Sequence, residues 1–380
     1  MAAAATDRPR KLLIVAPAWV GDMVMAHTLV QLLLQQASAQ GVAAPEIHML
    51  APPATAALGE RMPGVAQTHV FDLAHGELGL GKRWAFAKTL RAQGFAQALV
   101  LPNSLKSALV PWWAQIERRT GWTGESRVLL LNDRRTLDKD RYPLMIERFM
   151  ALALATDTPL PKPYPMPVLQ ADADQCEALL LKHQLTTPRP ILALCPGAEF
   201  GPAKRWPEQH FAAVAADAVR AGYDVWLFGS PKDQPVGAAL LDALAHDVAL
   251  PAQLPAQLPR SDQAAADDRL RLPMSDGQLA QVVNLAGQTK LLEAVDLLAV
   301  ADAVVCNDSG LMHVAAALGI RVVAVYGSTS PDFTPPLSAV AQVLQQPQPC
   351  SPCFERECPL QHMNCLNELL PARVSRALGL

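Results

Sequence analysis

Short runs of Val, Ile and Leu alternate with longer amphipathic stretches along most of the chain. In the first half the apolar runs are KLLIVAP, EIHMLAP, THVFDL and QALVLPNS, separated by helical patterns such as MVMAHTLVQLLLQQ and KRWAFAKTLRAQG. Continuous apolar runs of this length are typical of parallel strands buried on both faces, which are joined by crossover helices. The pattern predicts a parallel α/β sheet in the first half.

The alternation begins again in the second half, with the runs PILALCPG, DVWLFGS, VVNLAG, AVVCNDSG and VVAVYGS. Between the two series lies TPLPKPYPMPV, whose five prolines exclude a helix interior or a central strand. We therefore predict two α/β domains that face a cleft, at 1–157 and 169–380, joined by a proline-rich linker at 158–168. Residues 247–281 interrupt the second series and are predicted to be a mobile insertion.

Composition favours a globular protein: the chain has 380 residues, 51% of them hydrophobic and 18% charged. No apolar run approaches the ~20 residues that span a bilayer, and MAAAATDRPR lacks the apolar segment of a signal peptide. We expect a cytoplasmic protein. From Lys82 to Arg148 the chain has 13 Lys or Arg and 6 Asp or Glu, which indicates either an anionic partner or a solvated surface.

Four cysteines, Cys350, Cys353, Cys358 and Cys365, lie within one short segment. In a reducing compartment this spacing suggests a metal-held loop more than disulfides, although only the first pair has the spacing typical of zinc sites. Reduced thiols that pack a loop are the alternative, and we assign no metal ligand.

Ligands of open α/β sheets bind beyond the carboxyl ends of the strands. In NDSGLMHVAAALG a strand ends and a helix begins at once, so the amides of Ser309, Gly310 and Leu311 can face an anion, with Asp308 or Ser309 as the cap. A plain helix cap without a ligand is the alternative. His313 lies one turn further on, and lone helical histidines are usually structural.

A second loop, CPGAEFGPAKRWP, carries flexible glycines at 197 and 201 followed by Lys204, a compact charge suited to a phosphoryl oxygen. A solvated basic pair ahead of a helix is the alternative. Neither the P-loop nor the G-x-G-x-x-G pattern is present. The second domain has no dedicated carboxylate cluster for Mg²⁺, so we expect a nucleotide-diphospho compound bound without metal.

Asp22 follows Gly21 directly after the first apolar run. It is either a helix cap or surface acid, or a carboxylate that faces the second domain and takes a proton from an attacking hydroxyl. Gly21 is expected to provide a tight turn there.

Seven motifs in order, WVGDM, LPNSLKSALVPWWA, RRTGW, LNDRRTLDK, CPGAEFGPAKRWP, NDSGLMHVAAAL and YGSTSPDFTPPLS, resemble those of the lipopolysaccharide heptosyltransferases, most closely the type II members. The resemblance covers residues 11–338. It implies a glycosyltransferase B-type fold of two Rossmann-like domains, with acceptor bound by the first and donor by the second.

The same resemblance implies inverting, metal-independent transfer from ADP-L-glycero-D-manno-heptose to a heptosyl-Kdo-lipid A core at the inner membrane face. It makes Asp22 the general base and Lys204 the phosphate contact. It places the donor at Gly197, Ala198, Lys204, Asp308, Ser309, Gly310, Leu311 and His313, and the acceptor at Gly21, Asn103, Lys106 and Arg119.

One departure is Met25, which stands where relatives that add the first heptose often have a histidine. A nucleotide-sugar epimerase of similar architecture and a non-catalytic sugar-nucleotide or lipopolysaccharide binding module are the alternative functions. No cofactor and no nucleic-acid partner is expected.

Overall fold

The computed structural model describes residues 10–73, 77–245 and 274–380. Residues 247–273 of the predicted insertion at 247–281 therefore lie outside the described residues. The chain divides into two compact units, the first ending at Gln170 and the second beginning at Ala171.

The first unit contains one sheet of six strands in the order β3-β2-β1-β4-β5-β6, and every pairing is parallel. Its strands are β1 Lys11–Val15, β2 Glu46–Ala51, β3 Val65–Val70, β4 Gln97–Val100, β5 Arg118–Trp122 and β6 Asp133–Arg135. The strand order reverses between β1 and β4. Loops that leave two such strands in opposite directions open a crevice at their carboxyl ends, where ligands of doubly wound sheets bind.

Helices cover the first sheet: α1 Val20–Gln40, α2 Pro53–Ala56, α3 Leu80–Arg91, α4 Leu105–Trp113 and α5 Met145–Ala151. One side of the sheet buries an apolar cluster with α3 and α4 that includes Leu13, Val100, Ala87, Leu90 and Leu109. Because α1 follows β1 and α4 follows β4, both helices begin at the crevice of this unit.

The proline-rich segment lies in the first unit and is bonded to it. The amide of Val168 donates to Nδ1 of the buried His27 at 2.9 Å, and Nε2 of His27 contacts the carbonyl of Pro63 at 2.8 Å. These partners fix a neutral ring protonated at Nε2, because Nδ1 must accept. The end of the segment is thereby attached to α1.

The second unit repeats the architecture, with six parallel strands in the order β12-β11-β10-β7-β8-β9. They are β7 Ile191–Cys195, β8 Asp224–Leu227, β9 Val282–Asn284, β10 Ala303–Asn307, β11 Arg321–Tyr326 and β12 Ala341–Gln345. The order reverses between β7 and β10, so the loops after these two strands form the crevice of the second unit.

Its described helices are α6 Ala173–Lys182, α7 Glu208–Arg220, α8 Gln234–Ala245, α9 Asp276–Leu279, α10 Leu291–Leu298, α11 Gly310–Ala317, α12 Asn364–Asn367 and α13 Pro371–Leu378. The last two helices bury Leu366, Val374 and Leu378 in the same core as Phe211 of α7. The two parallel sheets confirm the predicted α/β class. Among the described residues, none of the helices combines the length and apolar character needed to span a bilayer.

Candidate functional site

The crevice of the second unit contains a buried ion pair. Nζ of Lys204 donates to Oδ2 of Asp308 at 2.6 Å, and the hydroxyl of Thr329 donates to the same oxygen at 2.6 Å. The side chains of Lys204 and Asp308 are only 14% and 5% exposed. An ammonium that is largely buried and paired with a carboxylate is held in a fixed position. Lys204 is therefore not part of a solvated basic pair, which was the alternative for this residue.

Asn307 fixes the loop that carries Lys204. Its carboxamide is fully buried at the end of β10, where Oδ1 accepts from the amide of Trp206 at 3.0 Å and Nδ2 donates to the carbonyl of Pro196 at 2.7 Å. The loop after β7 is thus bonded at both ends to one side chain. This arrangement holds Lys204 beside Asp308.

The cysteine-rich segment packs against the same loop. The carbonyl of Arg356 accepts from the amide of Ala203 at 3.0 Å, and the guanidinium of Arg356 lies 5.3 Å from the ring centroid of Phe200. Nζ of Lys204 lies 4.9 Å from the same ring. A Cβ at Gly201 would collide with the Arg356 carbonyl, so this glycine is required by close packing.

Gly197 makes room for the neighbouring loop after β8. A Cβ there would lie 2.5 Å from the carboxyl group of Asp233, which accepts from the Ser230 amide and hydroxyl at 2.9 and 2.8 Å. Ala198 is buried beside it. The structure therefore gives Gly197 a packing role within the crevice, where the sequence predicted backbone flexibility.

Helix α11 begins directly after Asp308, with Ser309 as its N-cap residue and no capping bond from the Ser309 side chain. Ser309, Gly310 and Leu311 are half-buried. The first amides of a helix have no intrahelical acceptor and carry the positive end of the helix dipole. Together with Lys204 they make this end of the crevice suited to a diphosphate.

His313 is buried in the second turn of α11. Burial lowers its pKa to about 4, while the nearby Asp308 opposes and Lys204 reinforces the shift. The ring is therefore neutral at physiological pH. Its surroundings are those of a structural histidine next to the ion pair.

The cysteines of the segment are unpaired thiols: Cys365 is buried and Cys350, Cys353 and Cys358 are half-buried. Across residues 10–73, 77–245 and 274–380, no three His, Cys, Asp or Glu side chains are arranged to hold a metal ion. Hydrogen bonds from the amides of residues 360–363 lower the pKa of the Cys358 thiol, with that of Met363 contributing most.

In the first unit, Asp22 occupies the first turn of α1 and is half-buried. The N-cap of α1 is Trp19, so the interpretation of Asp22 as the cap is wrong. Gly21 lies inside the same helical turn, and the tight turn expected there is also wrong. The carboxylate stands at the crevice of its unit, at a helix end that favours negative charge.

Asn103 and Lys106 lie at the crevice of the first unit, just after β4, and Arg127 organises their loop. The buried guanidinium of Arg127 donates to Oδ1 of Asn103 at 3.0 Å and to the carbonyls of Pro102 and Trp122 at 2.5 and 2.6 Å. The loops after β4 and β5 are therefore held together by one cation.

Arg119 lies apart from these residues. It is the second residue of β5, at the amino edge of the sheet, and its guanidinium donates to the carbonyls of Ile116 and Leu130 at 2.5 and 2.7 Å. Asn103 and Lys106 follow the carboxyl end of β4, at the opposite edge. The structure does not bring Arg119 together with the other predicted acceptor residues, and we leave it out of the acceptor site.

Comparison with known proteins identifies the family. The family model described as glycosyltransferase family 9 (heptosyltransferase) matches residues 83–258 and 257–364. The chain belongs to glycosyltransferase family 9.

Two family-9 relatives match nearly the whole chain. Lipopolysaccharide heptosyltransferase 2 of Salmonella typhimurium is 42% identical over 340 residues, and that of Escherichia coli is 43% identical over 340 residues, covering 88% of each chain in both cases. The solved structure of E. coli ADP-heptose LPS heptosyltransferase II superposes with a TM-score of 0.80, at 38% identity and 97% coverage of both chains. The glycosyltransferase B-type fold is confirmed.

Three residues of this family-9 glycosyltransferase were missed by sequence reasoning. Thr329 bonds to Asp308, Asn307 fixes the Lys204 loop, and Arg127 joins two loops of the first unit. Asn307 and Thr329 lie within motifs that the resemblance quotes, and Arg127 lies between two of them. Their partners come from distant parts of the chain, so no local pattern assigned them.

Proposed function

We propose that the protein is a type II enzyme of the family. It transfers L-glycero-D-manno-heptose from ADP-heptose to the heptosyl-Kdo-lipid A core. Similarity to proteins named lipopolysaccharide heptosyltransferase 2, over 88% of the chain, supports this choice.

The observation that carries the proposal is the buried Lys204–Asp308 pair beside the first turn of α11. A leaving diphosphate develops negative charge as the bond to the sugar breaks. Fixed donors aimed at that charge lower the barrier, because they need no reorganisation during the reaction. Lys204 and the amides of residues 309–311 supply such donors, and Gly197 and Ala198 shape the adjacent wall.

The transfer is a direct displacement with inversion. The acceptor hydroxyl oxygen forms a bond to the anomeric carbon, the bond from that carbon to the phosphate oxygen breaks, and ADP leaves with the electron pair. We assign the hydroxyl proton to the carboxylate of Asp22, acting as general base. The transition state has oxocarbenium character, as in other glycosyl transfers.

We assign the acceptor to the first unit, near Gly21, Asn103 and Lys106. Lys106 belongs to the window in which basic residues exceed acidic ones, and the acceptor core is anionic. Because that core is anchored in lipid, the enzyme works in the cytoplasm in peripheral contact with the inner membrane face. We propose no metal and no cofactor for the reaction.

The test is transfer from purified ADP-heptose to two defined cores, one with a single heptose and one with none, each with and without EDTA. The proposal predicts a product one heptose heavier, by mass spectrometry, from the mono-heptosylated core alone, with the chelator having no effect. Conversion of the donor without acceptor would instead identify an epimerase. Binding of both substrates without transfer would identify a binding module.

A further inference from the structure

Helix α3 presents apolar side chains to solvent. Its inner face buries Arg83, Ala87 and Leu90 against the first sheet and α4. On the outer face Leu80 and Trp84 are each 49% exposed, and Leu78, just before the helix, is 48% exposed. Leu80 and Trp84 are one helical turn apart, so they form a continuous apolar stripe.

The same face is cationic. Lys88 and Arg91 are exposed there, and Glu77, the single acidic residue of 77–94, is ion-paired with Lys82 at 3.1 Å. Nζ of Lys88 lies 3.3 Å from the ring centroid of Trp84, which places a charge directly on the apolar stripe. Tryptophan with adjacent lysine is suited to the boundary between lipid headgroups and acyl chains.

This surface is bonded to the loop that we assign to the acceptor. Nε of Arg83 donates to the carbonyl of Leu78 at 2.7 Å, and Nη1 of Arg83 donates to the carbonyl of Lys106 at 3.2 Å. The start of α3 and the start of α4 therefore lie at the same edge of the sheet. A lipid-anchored acceptor reaching Lys106 passes next to the exposed stripe.

We propose that the outer face of α3, comprising Leu80, Trp84, Lys88 and Arg91 together with the preceding Leu78, is the surface that rests on an anionic lipid bilayer. The inference depends on the proposed function, since it is the acceptor that resides in the membrane. Charge selects lipid over a second copy of the chain: two cationic faces repel, whereas anionic headgroups attract both Lys88 and Arg91.

The first experiment measures co-sedimentation with vesicles of phosphatidylcholine and phosphatidylglycerol, and with vesicles of phosphatidylcholine alone. Wild-type protein is expected to bind the anionic vesicles. Leu80→Ser/Trp84→Ser and Lys88→Gln/Arg91→Gln are each expected to weaken that binding about tenfold or more. The matched controls are Leu181→Ser/Val42→Ser, two exposed apolar residues elsewhere, and Lys139→Gln/Lys182→Gln.

All the altered side chains are exposed, so the variants are expected to keep the wild-type unfolding temperature and to remain folded. Wild-type binding in the α3 variants, or equal losses in the controls, would overturn the proposal. So would a wild-type dimer in sedimentation that Leu80→Ser/Trp84→Ser dissociates, because the face would then be an interface between copies.

A second experiment separates this inference from the proposed function. Turnover is measured with the mono-heptosylated acceptor embedded in anionic vesicles and with the same core deacylated and water-soluble. The α3 variants should lose about tenfold in turnover on embedded acceptor and none on soluble acceptor. If the wild type converts neither acceptor, the function is wrong; if the variants lose both equally, the docking surface is wrong.

Discussion

At the scale of single residues, Asp22 has the most sharply defined assignment. Asp22→Asn keeps the shape of the side chain in the first turn of α1 but cannot accept a proton. General-base assistance contributes roughly 10² to 10⁴ in rate, so kcat should fall by about that factor. ADP binding, measured by calorimetry, should be unchanged. Near-normal turnover by this variant would remove Asp22 from the mechanism.

Lys204 is assigned to the diphosphate, and Lys204→Ala tests this role. Losing a charge-assisted contact costs about 1.5 to 3 kcal/mol, so ADP affinity and kcat/KM should each fall by roughly 10- to 150-fold. The matched control is Lys232→Ala, which removes an exposed lysine paired with Glu199 on the neighbouring loops. Equal ADP affinity in the two variants would contradict the assignment.

His313 should make stability depend on pH. Its pKa of about 4 in the folded chain lies below the 6.5 of an exposed imidazole, so unfolding takes up a proton between those values. The free energy of unfolding should therefore fall as the pH falls from about 6.5 to 4, by at most about 3 kcal/mol from this group.

In His313→Gln that part of the pH dependence should be missing. Urea unfolding at a series of pH values measures the difference between the two proteins. Parallel curves for wild type and variant would show that His313 is not the titrating group.

Three residues show what the sequence could and could not predict about the site. Lys204 and Asp308 were predicted to share the donor site because each follows a strand of the same sheet, and the structure brings them within 2.6 Å. Arg119 was assigned by resemblance alone, and it lies at the other edge of its sheet. A residue's position after the end of a strand predicted that it belongs to the site, whereas its presence in a family motif did not.

At the scale of elements, most of the strands predicted from sequence are buried, although the exposed edge strand β3 was also predicted, from THVFDL. The apolar runs of β1, β7, β10 and β11 are almost wholly buried, so their patterns were unambiguous. Strand β6 reads Asp-Arg-Arg, and the edge strand β12, AQVLQ, is only half-buried and includes two glutamines. Short edge strands bury little apolar surface, so they often lack the apolar run by which a strand is recognised in a sequence.

The loop after β7 depends on a glycine. In Gly197→Ala the new methyl would lie 2.5 Å from the Asp233 carboxyl, and relieving the overlap should cost about 1 to 3 kcal/mol of stability. Displacement of the loop should also weaken ADP binding.

Gly277→Ala is the control for that change. This glycine belongs to the short helix α9, and among the described residues no atom lies within 4 Å of the position that a Cβ would take there. Alanine should be neutral or slightly stabilising at this site. Thermal unfolding of the two variants checks both outcomes, and similar melting curves would contradict the packing role of Gly197.

The cysteine-rich segment shows what spacing alone cannot reveal. The spacing of the cysteines suggested a metal site. In the structure, the segment is hydrogen-bonded to the Lys204 loop through the backbone carbonyl of Arg356. A hydrogen bond between two backbone groups does not require a particular side chain at either residue, so it cannot be recognised in the sequence. Its place behind the donor loop follows only from the fold.

At the scale of the whole molecule, the architecture was predictable because each unit repeats one rule. Alternating buried strands and helices require parallel sheets, and the reversal of strand order places the crevice. The candidate donor residues come from the loops beside β7 and β10, the two strands at the reversal.

The charge distribution predicts unequal responses to salt. Beyond α3, the window from Lys106 to Arg148 has 9 basic and 6 acidic residues, and most of them are exposed or half-buried. Raising the ionic strength from about 0.05 to 0.5 M should increase the KM for soluble acceptor several-fold, because exposed charges are screened.

The KM for ADP-heptose should change less, since Lys204 is 14% exposed and buried charges are screened weakly. Steady-state kinetics with each substrate varied in turn measures both effects. If ionic strength changed the KM values for acceptor and for ADP-heptose equally, the assignment of exposed charges to the acceptor and of the largely buried Lys204 to the donor would be contradicted.

The carboxylate of Asp308 takes one of the three donors of the Lys204 ammonium. A diphosphate bound as we propose shares that ammonium with Asp308, so it meets a charge that is already partly compensated. Sharing weakens the hold on ADP without displacing the lysine. The expected consequence is ready release of the product and little retention of other phosphate-bearing metabolites.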